Sequence, residues 1–161
     1  MAARSEFSHP RILQQTMSDM PAPTRPSQAQ LAAFLAAEFP QCKCSIEALA
    51  PMSATVRHPV SEAELRPGGT VSGPVLMTVA DVALYVAILG EIGIVPLTVT
   101  TSLNINFLRK PAGNRDILAV CTLMKLGRSL AVGEVSLYSE GSTEPVAHVV
   151  GTYAIPRAAQ R

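Results

Sequence analysis

Polar residues interrupt the apolar stretch Val75–Leu89 at only three positions, Thr78, Asp81 and Tyr85, and their offsets of three and four put them on one helical face. The pattern predicts a long buried helix with a single polar stripe, fed by the Gly/Ser turn at Gly68–Gly73 and ended by Gly90 and Gly93, with Pro96 resisting continuation. Asp is a mediocre helix former, and an ionised carboxylate is costly to bury unpaired. Asp81 must therefore be hydrogen-bonded, open to a cleft, or used.

Downstream the period changes to two. In LTVTTSLNINFLR, Leu97, Val99, Thr101, Leu103, Ile105 and Phe107 fall on one face, and Thr98, Thr100, Ser102, Asn104 and Asn106 on the other. DILAVCTLMKL, SLAVGEVSLYSE and VAHVVGTYAI follow, with turn residues at KPAGNR, around Gly127–Arg128, and at GSTEP, which predicts an antiparallel meander. Upstream, Ser27 caps a short predicted helix, QAQLAAFLAAEF, stopped by Pro40. CKCSIEALAP and MSATVRHPV read as a hairpin about Ala50–Pro51, and SEAELRPGG as a charged loop. Residues 1–27 show no periodicity and read as a disordered leader before a single domain at 28–157.

At 161 residues and 48% hydrophobic, the chain supports one domain with a real core. With 13 basic against 12 acidic residues and no long basic run, nothing marks it for nucleic acid. The absence of Trp makes the core aliphatic, and a mean hydropathy of +0.27 suggests that some apolar surface lies between subunits. A membrane span is not expected, because the apolar run of fifteen residues is shorter than the roughly 20 needed and carries Asp81. No secretory signal opens the chain, and three cysteines cannot all pair within it, so a reducing cytoplasm fits. Cys42 and Cys44 form a C-x-C on a predicted strand; with His9, His58 and His148 scattered, no metal site is expected. Phosphate-loop and dinucleotide motifs are absent, and Ser72 is not in a nucleophile elbow, being flanked at two residues by Thr70 and Pro74.

The predicted order is short helix, two strands, long buried helix and four strands, an α+β class in which a curved antiparallel sheet wraps one helix. This resembles the hotdog fold. GGTVSGPVLMTVADVA (Gly68–Ala83) and NINFLRKP (Asn104–Pro111) resemble the phenylacetate-pathway, PaaI-like acyl-CoA thioesterases, over roughly residues 42–156. Such proteins carry His-Gly-Gly nine residues before a helical Asp; here the Asp is Asp81 and the tripeptide has become Ser72-Gly73-Pro74. The resemblance implies that Asp81 acts as nucleophile or general base. It also implies that the Gly73 N–H at the helix N-terminus polarises the thioester carbonyl, where the helix dipole favours developing negative charge.

Ser72 would offer a hydroxyl in place of the imidazole, or simply cap the helix. Val82 stands where the family often has Thr. Gly68 and Gly69 read as a flexible turn or as backbone lining the substrate; Thr100 and Ser102 as a solvated or ladder-forming face, or as the face toward a neighbour's site. Arg109, Lys110 and Arg128 are candidates for the CoA phosphates, or ordinary solvated turn residues. The implied protein is a homodimer or homotetramer hydrolysing acyl-CoA at a subunit interface, without metal or redox cofactor. Ser72 and Val82 motivate the alternative of a non-catalytic hotdog module that holds acyl-CoA; a purely structural oligomer is a third reading.

Overall fold

Ser27 and Gln30 form a reciprocal capping box that starts α1 (Gln28–Glu38) where the sequence predicts it: the Ser27 Oγ accepts from the Gln30 N–H at 3.2 Å, and Gln30 Oε1 accepts from the Ser27 N–H at 2.8 Å. The computed structural model describes residues 24–157. Of the expected leader, residues 1–23 lie outside the described residues, whereas Pro26 is buried and Arg25 pairs with Glu91 at 2.7 Å. The buried Leu31 and Leu35 hold α1 to the domain, with Phe34 and Phe39 against the Tyr85 ring at 6.4 and 5.8 Å.

The hairpin forms as β1 (Ser45–Ala50) and β2 (Ser53–His58), but Cys42 and Cys44 precede its first strand rather than lie on it. The segment predicted as a charged loop is partly structured. It contains a 3₁₀ turn at Glu62–Glu64 and the two-stranded ribbon β3 (Leu65–Arg66) and β4 (Thr70–Val71), with Gly68 and Gly69 at φ +100° and +71° making the turn between them.

Helix α2 (Gly73–Ile92) runs past Gly90, and only Gly93, at φ 91°, ends it. Gly90 is instead a contact point: a Cβ there would lie 2.8 Å from Leu49 Cδ1 of β1. At 20 residues α2 is long and apolar enough to cross a membrane, so the length argument fails; its burial from Ala83 through Gly90 identifies it as the core helix.

Four long strands follow: β5 (Val99–Phe107), β6 (Ile117–Leu126), β7 (Leu130–Ser139) and β8 (Ala147–Ala154). They do not form one meander. The sheet order is β1-β2-β6-β7-β8-β5, so β5 pairs with β8, and the β5–β6 connection crosses the sheet instead of turning tightly. All the pairs are antiparallel, and the sheet curves around α2. Its closest approach is made by glycines: Gly133 and Gly151 face each other on β7 and β8, and a Cβ on either would lie 2.8 or 2.4 Å from the Leu84 side chain. This is the hotdog arrangement. The far edge of β5 has no strand partner among the described residues, and Val99 and Phe107 on it are exposed.

Candidate functional site

A β-bulge between Thr100 and Ser102 breaks the alternation read from the sequence. It turns Thr100 toward α2, on the side where Leu103 and Ile105 pack on the core, and leaves Ser102 exposed. Thr100 Oγ1 donates to Asp81 Oδ1 at 2.7 Å. The hydroxyl of Tyr153, on β8, donates to the same Oδ1 at 2.6 Å and lies 3.0 Å from the Asp81 carbonyl oxygen. Burial, then the Asp81 charge, pushes the Tyr153 hydroxyl above its ordinary pKa, so it remains a donor at neutral pH. Among the described residues no hydrogen bond reaches Asp81 Oδ2. Two hydroxyls therefore orient a half-buried carboxylate and leave one oxygen for a ligand or water.

The carboxylate lines a cavity of about 750 Å³ whose walls include Leu35, Phe39, Val75, Val82 and Tyr85. Its lining also holds a polar group that sequence reasoning missed: Cys42, Cys44, His58 and Glu64. Glu64 is buried, with Oε1 2.5 Å from Lys43 Nζ and Oε2 accepting from the Ser61 N–H and Oγ at 2.7 and 2.5 Å. Lys43 and then Ser61 lower its pKa to about 2. His58 Nε2 lies 3.7 Å from Glu64 Oε1, and His58 Nδ1 lies 3.7 Å from Cys44 Sγ. Burial holds the imidazole below its ordinary pKa against the pull of Glu64. The neighbouring Cys44 holds the Cys42 thiol below its ordinary pKa, and Cys42, with burial, pushes Cys44 up.

Gly73 lies elsewhere. It lines a second cavity, of about 390 Å³, with Arg66, Phe107, Arg109 and Lys110. No acceptor among the described residues takes its N–H, as befits the first turn of a helix. A Cβ at Gly73 would lie 3.0 Å from Cζ of the exposed Phe107, close enough that the ring would have to shift. Ser72 is at the N-cap position, but its side chain makes no capping hydrogen bond. Arg109 bonds Glu144 at 2.9 Å and the Pro145 carbonyl at 3.1 Å. Gly68, Gly69, Ser72, Ser102 and Arg128 line neither cavity.

Gly73 and Asp81 are eight residues apart, which at 1.5 Å per residue is about 12 Å along the helix axis. One thioester carbonyl cannot meet both on a single chain. Tyr153 was also not foreseen; as a tyrosine in an alternating strand it reads as core. Among the described residues, no three His, Cys, Asp or Glu side chains are grouped to hold a metal ion.

One long central helix packed against an antiparallel sheet is the fold of the hotdog thioesterases. The Thioesterase superfamily profile matches residues 68–146. A candidate thioesterase from Silicibacter sp. TM1040 is 47% identical in sequence, covering 81% of this chain and 92% of its own, with a TM-score of 0.76. The phenylacetic acid degradation protein PaaI from Thermus thermophilus, in a variant form, is 26% identical over 77% of this chain and 99% of its own, with a TM-score of 0.63. Zebrafish thioesterase superfamily member 2 shares the fold, with a TM-score of 0.73 at 22% identity over 81% of this chain and 99% of its own. No curated protein matches. The chain belongs to the Thioesterase superfamily.

Proposed function

We propose that the protein is an acyl-CoA thioesterase of the PaaI-like kind, a hydrolase acting in the cytoplasm as a homodimer or homotetramer. The observation that carries the reading is the Asp81 carboxylate, clamped through Oδ1 by Thr100 and Tyr153 at the wall of an apolar cavity. Asp81 Oδ2 takes a proton from water as that water attacks the thioester carbonyl, or attacks the carbonyl itself as nucleophile. The C–S bond breaks and CoA leaves as thiolate, which is protonated; water attack leaves the free acid directly, whereas attack by Asp81 leaves an acyl–Asp81 anhydride that a water molecule hydrolyses to release the acid.

The oxyanion needs a donor, and the free Gly73 N–H at the positive end of α2 suits it. Because Gly73 and Asp81 lie in separate cavities of one chain, we assign the oxyanion donor to Gly73 of a second copy. The unpaired β5 edge, with its exposed Val99 and Phe107, is suited to that contact. Ser72 adds a hydroxyl beside Gly73. Gly68 and Gly69 shape the approach to α2, Thr100 faces the carboxylate while Ser102 on the other face of β5 is open to a second copy, and Arg109, Lys110 and Arg128 meet the CoA phosphates. Three free cysteines among the described residues fit a reducing compartment.

Ser72 and Val82, at positions where the resembled family usually carries His and often Thr, favour one second reading, an acyl-CoA-binding module without turnover. Thiol release from short, medium, long and aromatic acyl-CoAs, with Asp81→Asn alongside, separates the two. Turnover abolished by the substitution supports the thioesterase; no turnover across the panel, with thermal stabilisation by an acyl-CoA, supports the module.

A further inference from the structure

Cys42 and Cys44 take no part in the chemistry at Asp81, yet both line its cavity as half-buried free thiols. Two residues of extended chain span at most about 7 Å, and a disulfide takes Cα atoms about 4.4–6.8 Å apart, so a small contraction suffices to join them. The backbone there is free to contract: Cys42–Cys44 lies between α1 and β1, and pairing with β2 begins at Ser45. Each thiol is the strongest influence on the other's titration, with Cys42 held below its ordinary pKa and Cys44 pushed up. The thiolate, which is the nucleophile, is therefore on Cys42, with Cys44 beside it to resolve an oxidised sulfur. Cys121, by contrast, is buried within β6.

Packed groups join this pair to the carboxylate. The Cys42 N–H donates to the Phe39 carbonyl at 2.9 Å, and the Phe39 ring meets Tyr85 edge-on at 5.8 Å. Tyr85 stacks on Tyr153 at 6.3 Å, and the Tyr153 hydroxyl donates to Asp81 Oδ1 at 2.6 Å. On the other side, Lys43 bonds Glu64, and Cys44 Sγ lies 3.7 Å from His58 Nδ1. Drawing the two cysteines together moves Lys43, at the apex of the ring, relative to Glu64. It also shifts Phe39 through its bond to Cys42.

We propose that Cys42 and Cys44 form a peroxide-sensitive dithiol whose disulfide reshapes the cavity and slows turnover at Asp81. The Cys42 thiolate attacks one oxygen of hydrogen peroxide; the O–O bond breaks, hydroxide leaves and is protonated, and Cys42 becomes a sulfenic acid. The Cys44 sulfur then gives up its proton and attacks the Cys42 sulfur, the S–O bond breaks, and a second water leaves. Two thiols are oxidised and one peroxide is reduced to two waters. A ring of three residues constrains the unfolded chain little, so the bond acts as a reducible switch and not as a structural staple.

The proposal rests on the thioesterase reading for its activity readout alone. Its test treats the full chain with hydrogen peroxide, removes the excess with catalase, and maps the cysteines by peptide mass. Initial rates of acid release from octanoyl-, decanoyl- and benzoyl-CoA are read by chromatography before released CoA can reduce the bond. Wild type should lose two hydrogens, carry a Cys42–Cys44 disulfide, and fall in kcat/KM roughly tenfold or more, because small displacements of a positioned site are costly. Dithiothreitol should restore both. Cys42→Ser should keep its own unoxidised rate under peroxide, and Cys44→Ser should stop at a sulfenic acid that dimedone traps. Each rate is divided by that of the same preparation before oxidation, so loss of folded protein cancels.

Thiols that stay unlinked, turnover unchanged once they are linked, or an equal loss in Cys42→Ser overturns the switch, while turnover that still depends on Asp81 leaves the thioesterase reading standing. If no thioester is turned over, that reading fails separately, and calorimetry with the same acyl-CoAs decides the switch. Weaker binding by the disulfide form, reversed by dithiothreitol, supports it; equal affinity, or no binding by either form, overturns it.

Discussion

The two cavities beside the N-terminal half of α2 hold complementary halves of one chemistry. The larger has a carboxylate clamped by two hydroxyls and an apolar wall. The smaller has the free N–H end of the helix with Arg66, Arg109 and Lys110, and no acidic residue in its lining. Thioester cleavage needs an attacking base and an oxyanion donor at the same carbonyl. Sequence proximity is misleading here: eight residues separate Gly73 from Asp81, but a rigid helix converts them into about 12 Å. Both parts can serve one substrate only if another copy brings the second surface to the first.

The largest expected effect breaks each half in turn. Asp81→Asn keeps a side chain that accepts from Thr100 and Tyr153 but removes the base, and should lower kcat at least about a hundredfold. Gly73→Val drives its side chain into Phe107 and should silence the other half. Co-refolding the two variants in equal amounts gives mixed dimers in half of the population, each with one intact site, so about a quarter of wild-type turnover should return. Thiol release measures this directly, and failure of the mixture to exceed its two components would sink the two-chain site.

Tyr153→Phe comes next. It removes a charge-assisted hydrogen bond to Asp81 while leaving Thr100 in place, and kcat should fall roughly tenfold to a hundredfold. An unaltered kcat would mean that Thr100 alone orients the carboxylate. Gly151→Ala acts two residues along β8 from Tyr153, pressing on Leu84 where the sheet closes around the helix. It should cost about 1–3 kcal/mol, read as a lower urea midpoint with unchanged slope. A neutral result would mean that the sheet yields there and does not set the seat of α2.

The helix and its carboxylate were legible because a 3.6-residue period with one polar stripe is a local signal, and the capping box at Ser27 is equally local. Three features were not. Turn residues mark where strands end but not which strands pair, so the crossing of β5 to β8 was hidden. That crossing is what pairs Thr100 with Tyr153, so that both hydroxyls meet on Asp81. The bulge at Thr100 reverses the side on which a period-two reading puts it. His58 and Glu64 sit in or beside a charged, loop-like segment, and only the tertiary fold buries them.

The smallest effect contrasts the acids nearest the two cavities. Glu64 is buried beside Lys43 and Ser61, whereas Glu144, which pairs with Arg109 at the smaller cavity, is exposed. The folded Glu64 pKa is about 2, below the ordinary 4.5, so between those values the unfolded chain binds the extra proton. Its contribution to stability is therefore complete above about pH 4.5 and disappears as pH falls through about 2. Glu64→Gln should lower the urea midpoint at pH 7, and the gap from wild type should close on acidification across that window. Glu144→Gln should change the midpoint little at any pH, because an exposed pair contributes about 0–1 kcal/mol. A Glu64→Gln gap that stays constant with pH would show that packing, and not the charge held by Lys43 and Ser61, is what Glu64 supplies.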